Sequence, residues 1–112
     1  MSAVKEYATT NWCFTINNPT TEDYDNLFLA FANCNKQTGS ISVLVVGREL
    51  AATTKTLHLQ GYVEFVNEFN MYEIKDFPLF HRAHLEFCKG SRQQNVLYCS
   101  KGGHVILSGL DR

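Results

Sequence analysis

Apolar and polar residues alternate over Trp12-Cys13-Phe14-Thr15-Ile16, with Trp12, Phe14 and Ile16 on one side, and this period of two predicts a half-buried strand. Asn17-Asn18-Pro19 ends it. Thr20 then offers an N-cap with Asp23 three residues on, and Tyr24, Leu27, Phe28 and Phe31 follow at i, i+3, i+4 and i+7, so a helix is expected there. Past Gly39-Ser40, residues 41–46 (ISVLVV) form an apolar, β-branched run that stops at Gly47-Arg48-Glu49. Residues 57–66 (LHLQGYVEFV) alternate cleanly, and both segments read as strands joined by a polar loop. A weaker helical pattern covers 68–78, resting on Phe69, Tyr72 and Phe77 before Pro78. Over 81–87, Ala83, Leu85 and Phe87 oppose Arg82, His84 and Glu86, which predicts a further strand. Ser91 with Gln94 is a capping-box pair that opens a helix over 92–101, closed by Gly102-Gly103, and Val105-Ile106-Leu107 is a short last strand.

The order β-α-β-β-α-β, with one added helix and strand, predicts an α+β fold of the ferredoxin-like split βαβ kind: an antiparallel sheet with helices on one face and an open face for a site. The chain has 112 residues, 45% hydrophobic and 12% aromatic, enough for one domain with one modest core and too apolar for intrinsic disorder. No apolar run approaches the roughly 20 residues that cross a bilayer, and residues 1–10 lack the basic-then-apolar order of a secretory signal, so a soluble domain with no membrane partner is expected. Cysteines at 13, 34, 88 and 99 form no CxxC pair and read as reduced thiols of a cytosolic or nuclear protein rather than zinc ligands. The net charge of −1 argues against a uniformly basic nucleic-acid coat. Its distribution is uneven: residues 1–81 carry 5 Lys/Arg against 9 Asp/Glu, whereas 82–112 carry 5 against 2, so the last third is where an anion would bind.

Strand periodicity sorts 57–66 into Leu57, Leu59, Val63 and Phe65 toward the core and His58, Gln60, Tyr62 and Glu64 toward the open face. His58 and Gln60, at i and i+2, put an imidazole nitrogen and an amide oxygen where both can grip one cation, and Glu49 at the end of the preceding strand is the nearest acidic third ligand. One nitrogen and two oxygens, a single one charged, suit Mg²⁺ or Mn²⁺ better than zinc or copper. The plain alternative is that these are solvated polar residues, which any half-buried strand produces. On the helix from Ser91, Tyr98 and Lys101 share a face, with Gln94 one turn earlier. A phenol can attack phosphorus, but with a pKa of about 10 it needs a cation, a base or a metal beside it, and Lys101 supplies the first. Against this stands a partly buried aromatic and a lysine favoured by the helix dipole. Lys89, Arg92 and Lys101 bracket the helix and would attract phosphate. His84 and Glu86 share a strand face and read as support or DNA contacts, while His81 and His104 read as ordinary surface histidines.

WCFTINNP (12–19), VGRE (46–49), HLQGYVEF (58–65), AHLEFCKGS (83–91) and QQNVLYCSK (93–101) together resemble, in order and spacing over 11–104, the successive motifs of the replication-initiator (Rep) proteins of circular single-stranded DNA viruses, circoviruses especially. The resemblance implies an HUH endonuclease of the host nucleus that nicks single-stranded DNA at an origin stem-loop and holds it through a 5′-phosphotyrosine. It implies metal ligands at Glu49, His58 and Gln60 for Mn²⁺ or Mg²⁺, the nucleophile at Tyr98 with Lys101 beside it, and origin contacts in the first motif at Phe14, Thr15, Asn17 and Asn18. Further DNA contacts are expected at Tyr62, Arg82, His84, Lys89 and Arg92, with Glu86 and Gln94 in support. Gln60 stands where the name-giving pattern has a second histidine, as in circovirus-like members, and Ile16 replaces the commoner leucine. Rep proteins continue into an oligomerisation segment and a superfamily 3 helicase. No GxxxxGK[ST] phosphate loop occurs in this chain, which is therefore expected to be a single excised catalytic domain, residues 1–112. A rival expectation is a non-catalytic RNA- or DNA-binding module, since QGYVEF resembles the strand motif of RNA-recognition domains. That motif wants several outward aromatics, and Tyr62 is the one expected here.

Overall fold

The computed structural model describes residues 7–34, 40–102 and 104–108; Gly39 and Gly103, expected in a loop and a helix stop, lie outside them. Strands β1 (Thr9–Asn17), β2 (Ile41–Leu50), β3 (Leu57–Phe69), β4 (His84–Phe87) and β5 (His104–Ser108) alternate with helices α1 (Thr21–Asn33), α2 (Met71–Lys75) and α3 (Arg92–Ser100), and a 3-10 turn spans Pro78–Phe80. They form one five-stranded sheet in the order β4-β1-β3-β2-β5, every neighbouring pair antiparallel. This is the expected α+β arrangement, with β5 added at the β2 edge.

Alternation decides which side is filled. Trp12, Phe14 and Ile16 of β1 join Leu59, Val63 and Phe65 of β3, Leu44 and Val46 of β2 and Leu85 of β4 in one core, closed by Leu27 of α1, Ile74 of α2 and Leu79 and Phe80 of the 3-10 turn. Phe14 packs edge-to-face on Phe80, 5.0 Å between ring centroids, and its ring lies across Gly61, where a Cβ would fall 2.1 Å from it. Glycine in mid-strand is here a space requirement of the facing aromatic.

Each helix opens with a capping box: Thr20 with Asp23, Asn70 with Glu73, and Ser91 with Gln94. The helical pattern over 68–78 resolves differently from expectation. β3 runs on to Phe69, Asn70 caps a single short helix, and Pro78, lacking an N–H to donate, starts the 3-10 turn. Residues 81–83 continue that turn, with His81 and Ala83 amides bonded to the Pro78 and Phe80 carbonyls, so β4 begins at His84 rather than 81. It pairs with β1 and not with β3.

The added helix takes the other face. α3 lies against β2 and β3, where Cys99 packs with Val43, Val45 and Tyr62. This explains why 41–46 is apolar but for Ser42: both sides of β2 are covered there. Close approach is possible because residue 47 is glycine, since a Cβ at that position would sit 1.8 Å from the Cys99 carbonyl oxygen. Among the described residues no helix is long and apolar enough to cross a membrane.

Candidate active site

Register in the antiparallel ladders sets out the site row by row. Asn17, His58 and Glu49 lie abreast on β1, β3 and β2; the next row on the same face is His84, Thr15, Gln60 and Gly47; the next is Glu86, Cys13, Tyr62 and Val45. Glu49 and His58 are direct cross-strand partners, and Gln60 follows His58 at the strand period. His58 Nε2 is 3.8 Å from Glu49 Oε2, and the Gln60 amide nitrogen donates to it at 3.3 Å. Cis ligands of a six-coordinate Mg²⁺-sized ion at ~2.1 Å stand about 3 Å apart, so Glu49 and Gln60 each lie near the spacing from the His58 nitrogen that one such ion needs, with the interchangeable ends of the Gln60 amide able to supply oxygen. Among the described residues there is no cluster of three His, Cys, Asp or Glu, so any ion here relies on the Gln60 amide.

α3 brings the other half. Its last turn carries Tyr98, 54% exposed, and its C-cap is Lys101. Lys101 Nζ lies 4.0 Å from the Tyr98 ring centroid and 3.5 Å from Glu49 Oε2. Desolvation works against the ammonium, but the phenolic oxygen of Tyr98 and the Glu49 carboxylate outweigh it and raise the Lys101 pKa above its ordinary value. Contacts of 4.0 Å or less thus run unbroken from Tyr98 through Lys101, Glu49 and His58 to Gln60.

Beside α3 a cleft of about 510 Å³ opens over β1 and β4, lined among others by Thr15, Gln60, Glu86, Lys89, Gln94 and Tyr98. The expected contacts Thr15 and Lys89 and the supporting Glu86 and Gln94 are therefore gathered around the tyrosine. The Gln94 side-chain oxygen accepts the Ser91 amide at 2.7 Å, so it supports the helix start. His84 Nε2 and Glu86 Oε1 lie 3.0 Å apart on exposed β4. Asn17 and Asn18 are exposed at the end of β1, where Asn18 adopts φ 49° and its amide donates to the Leu57 carbonyl at 2.9 Å, beside His58.

Four expected DNA contacts are placed otherwise. Phe14, 2% exposed, is a core residue on the helix-covered face. Tyr62, also 2% exposed, is roofed by α3, and its hydroxyl donates to Glu64 Oε2 at 2.5 Å. Burial first, then Glu64, pushes its phenol well above the usual range. Arg92 grips the same carboxylate with two bonds, Nε to Oε2 at 2.6 Å and NH2 to Oε1 at 2.7 Å, clamping the start of α3 to β3. Burial would raise the Glu64 pKa, but the bonds from Arg92 and Tyr62 prevail and hold it below the ordinary value. Arg82, off the strand, turns to the buried Asp23 carboxylate and the Asn17 carbonyl, tying α1 to the end of β1. With Tyr62 enclosed, the alternative resting on QGYVEF loses the one outward aromatic expected of it.

Two cleft residues escaped the sequence reading. Cys13 lies at the floor, and Asn95, buried on α3, bonds it. The signal for enclosure was the apolar run of β2; nothing in the sequence pairs 13 with 95.

The family model described as "Putative viral replication protein" matches residues 9–102. The chain belongs to this viral replication (Rep) family. It is similar to the Replication-associated protein of Pigeon circovirus (37% identical over 104 residues, 93% of this chain and 30% of that protein). The counterparts in Beak and feather disease virus (40% over 97 residues, 87% and 30%) and Porcine circovirus 1 (32% over 96 residues, 86% and 28%) match the same way. The chain thus spans less than a third of the length of these relatives. The resemblance to Rep proteins of circular single-stranded DNA viruses holds.

Proposed function

We propose that this domain initiates viral DNA replication by nicking and rejoining single-stranded DNA at an origin stem-loop, with Tyr98 as nucleophile. What supports the reading is the unbroken line of contacts from a phenol through an ammonium to three convergent donor groups, at the mouth of a cleft large enough for a nucleotide.

The unpaired strand enters the cleft, with Lys89 and Lys101 offering charge to its phosphates and Thr15, Asn17, Asn18 and His84 polar groups to its bases. Glu49, His58 and Gln60 would hold Mn²⁺ or Mg²⁺. When bound, such an ion polarises the scissile phosphate and neutralises charge on the leaving oxygen. Tyr98, exposed on the cleft side, gives its proton to solvent, and Lys101 stabilises the phenolate and then the crowded phosphorus. The phenolic oxygen bonds to phosphorus, the bond from phosphorus to the 3′-oxygen breaks, and that oxygen leaves as a hydroxyl after taking a proton from water. The 5′-phosphotyrosine keeps an ester bond, so a later 3′-hydroxyl attacks it and restores a continuous strand without ATP. In this reading the full protein works in the host nucleus as an oligomer with a helicase segment beyond the domain.

The test is incubation with a labelled origin oligonucleotide and Mn²⁺. A covalent band of protein plus the 3′ fragment, attached through its 5′-phosphate, should form, and should be absent with Tyr98→Phe and with EDTA. Cleavage that survives Tyr98→Phe overturns the reading.

A further inference from the structure

Cys13 and Cys88 are free thiols on β1 and on the segment leading into α3, far apart in sequence, with Sγ atoms 3.1 Å apart. Both are partly exposed, and Cys13 lines the cleft, so a small solute reaches it. We propose that this pair is a modification site, closing to an intramolecular disulfide when the oxidant is a peroxide. A disulfide sulfur pair stands about 2.05 Å apart, so the two sulfurs need approach by only about 1 Å to bond.

The chemistry balances. The Cys13 thiolate attacks one oxygen of hydrogen peroxide, the O–O bond breaks, and a sulfenic acid and hydroxide result, the hydroxide taking up the thiol's proton as water. Cys88 sulfur then displaces the sulfenic oxygen, which leaves as a second water with the Cys88 proton. Two thiols and one peroxide give one disulfide and two waters. The hydrogen bond from Cys88 lowers the Cys13 pKa despite partial burial, which favours Cys13 as the attacking thiolate. Cys34 and Cys99 are buried, and burial pushes the Cys99 thiol up to about 12, so both are poor competitors.

Closure reaches α3 through one residue. Cys13 donates its S–H to Asn95 Oδ1 at 3.0 Å, while Asn95 Nδ2 holds the Lys89 carbonyl at 3.1 Å and the Ser91 carbonyl at 2.9 Å. Oxidation removes that donor from a buried amide and loosens the first turn of the helix whose last turn carries Tyr98. This second step rests on the function proposed above; the disulfide itself does not.

The experiment treats the domain with a few equivalents of hydrogen peroxide. Expected are an intact mass lower by two hydrogen atoms, a fall from four to two titratable thiols, and a peptide linking Cys13 to Cys88. Cys13→Ser and Cys88→Ser should each abolish that mass change. A link through Cys34 or Cys99, a cross-linked dimer, a gain of oxygen mass, or four remaining thiols would overturn the proposal. In parallel, oxidised wild-type protein should nick the oligonucleotide about tenfold slower or worse and recover with dithiothreitol. A disulfide that forms with nicking unchanged refutes the coupling to α3. If the reduced domain does not nick at all, the function fails and the thiol result stands.

Discussion

Gly47→Ala tests how the two halves of the site are joined. The new methyl would sit 1.8 Å from the Cys99 carbonyl oxygen, against 3.4 Å for ordinary contact, so α3 and β2 must separate by about 1.6 Å at the last turn. The obstacle is backbone, which cannot rotate aside as a side chain would. Overpacking of this kind costs about 1–3 kcal/mol, which lowers Tm by about 4–15 °C for a domain of this size. The larger effect is positional. Tyr98 and Lys101 ride on that turn while Glu49 and His58 stay in the central ladder, and a misplacement of about 1 Å costs on the order of 100-fold in rate. Thermal melts and single-turnover nicking, run well below the mutant's Tm, separate the two. A variant that is destabilised but nicks at the wild-type rate shows that the helix position does not govern the chemistry. One that is neither destabilised nor slowed shows that the close approach itself is wrong.

Asp23→Ala removes the partner of both the Thr20 amide and the Arg82 guanidinium, and denaturant unfolding should show a loss of about 2–4 kcal/mol with nicking per folded molecule little changed. Glu64→Gln breaks the clamp on Arg92, whose side chain is 45% exposed, so solvent screening keeps the loss near 1 kcal/mol at neutral pH. Because the Glu64 pKa is depressed in the folded state, its stabilisation is present above the unfolded carboxyl value of 4.5 and fades as pH falls through the lower folded one. Stability against pH should therefore drop less steeply for Glu64→Gln than for wild type below about pH 4.5; equal slopes would count against the clamp. Mn²⁺ at 100 times its Kd should stabilise the wild-type domain by about 2.7 kcal/mol, and His58→Ala should fold but lose that gain; an undiminished shift would place the ion elsewhere.

Elements whose boundaries are written in local chemistry were legible. The Thr20/Asp23 and Ser91/Gln94 boxes start α1 and α3 where expected, and the parity of 57–66 puts His58 and Gln60 on one face with Glu49 alongside. Tyr98 and Lys101 share a helix face as their spacing requires, yet the spacing is silent on what they face; the sheet comes within reach through Gly47, a long-range fit. The period of two separates the sides of a strand but does not say which side is covered, so Tyr62 was read outward with His58 although α3 buries it. Phe14 was assigned to DNA through its motif although its parity with Trp12 and Ile16 already placed it inward. Arg92 and Arg82 looked like free cations because their carboxylates, Glu64 and Asp23, are distant in sequence. The helical pattern over 68–78 mixed three elements, since the aromatic residues Phe65, Phe69, Phe77 and Phe80 pack together from a strand, a turn and a 3-10 turn.

The ladder gives this division of the site a mechanical meaning. β3, which carries His58 and Gln60, is bonded on both flanks along most of its length, whereas α3 is held by a patch of side chains and a clamp at its first turn. In the mechanism proposed above, the stiffer half is thus the one where interatomic spacing must be kept, and the more loosely held α3 is the one that would receive and release a tethered strand end. In that mechanism a nucleophile on the yielding side would carry its cargo outward through a small angle while the opposing groups stay fixed for the next arrival.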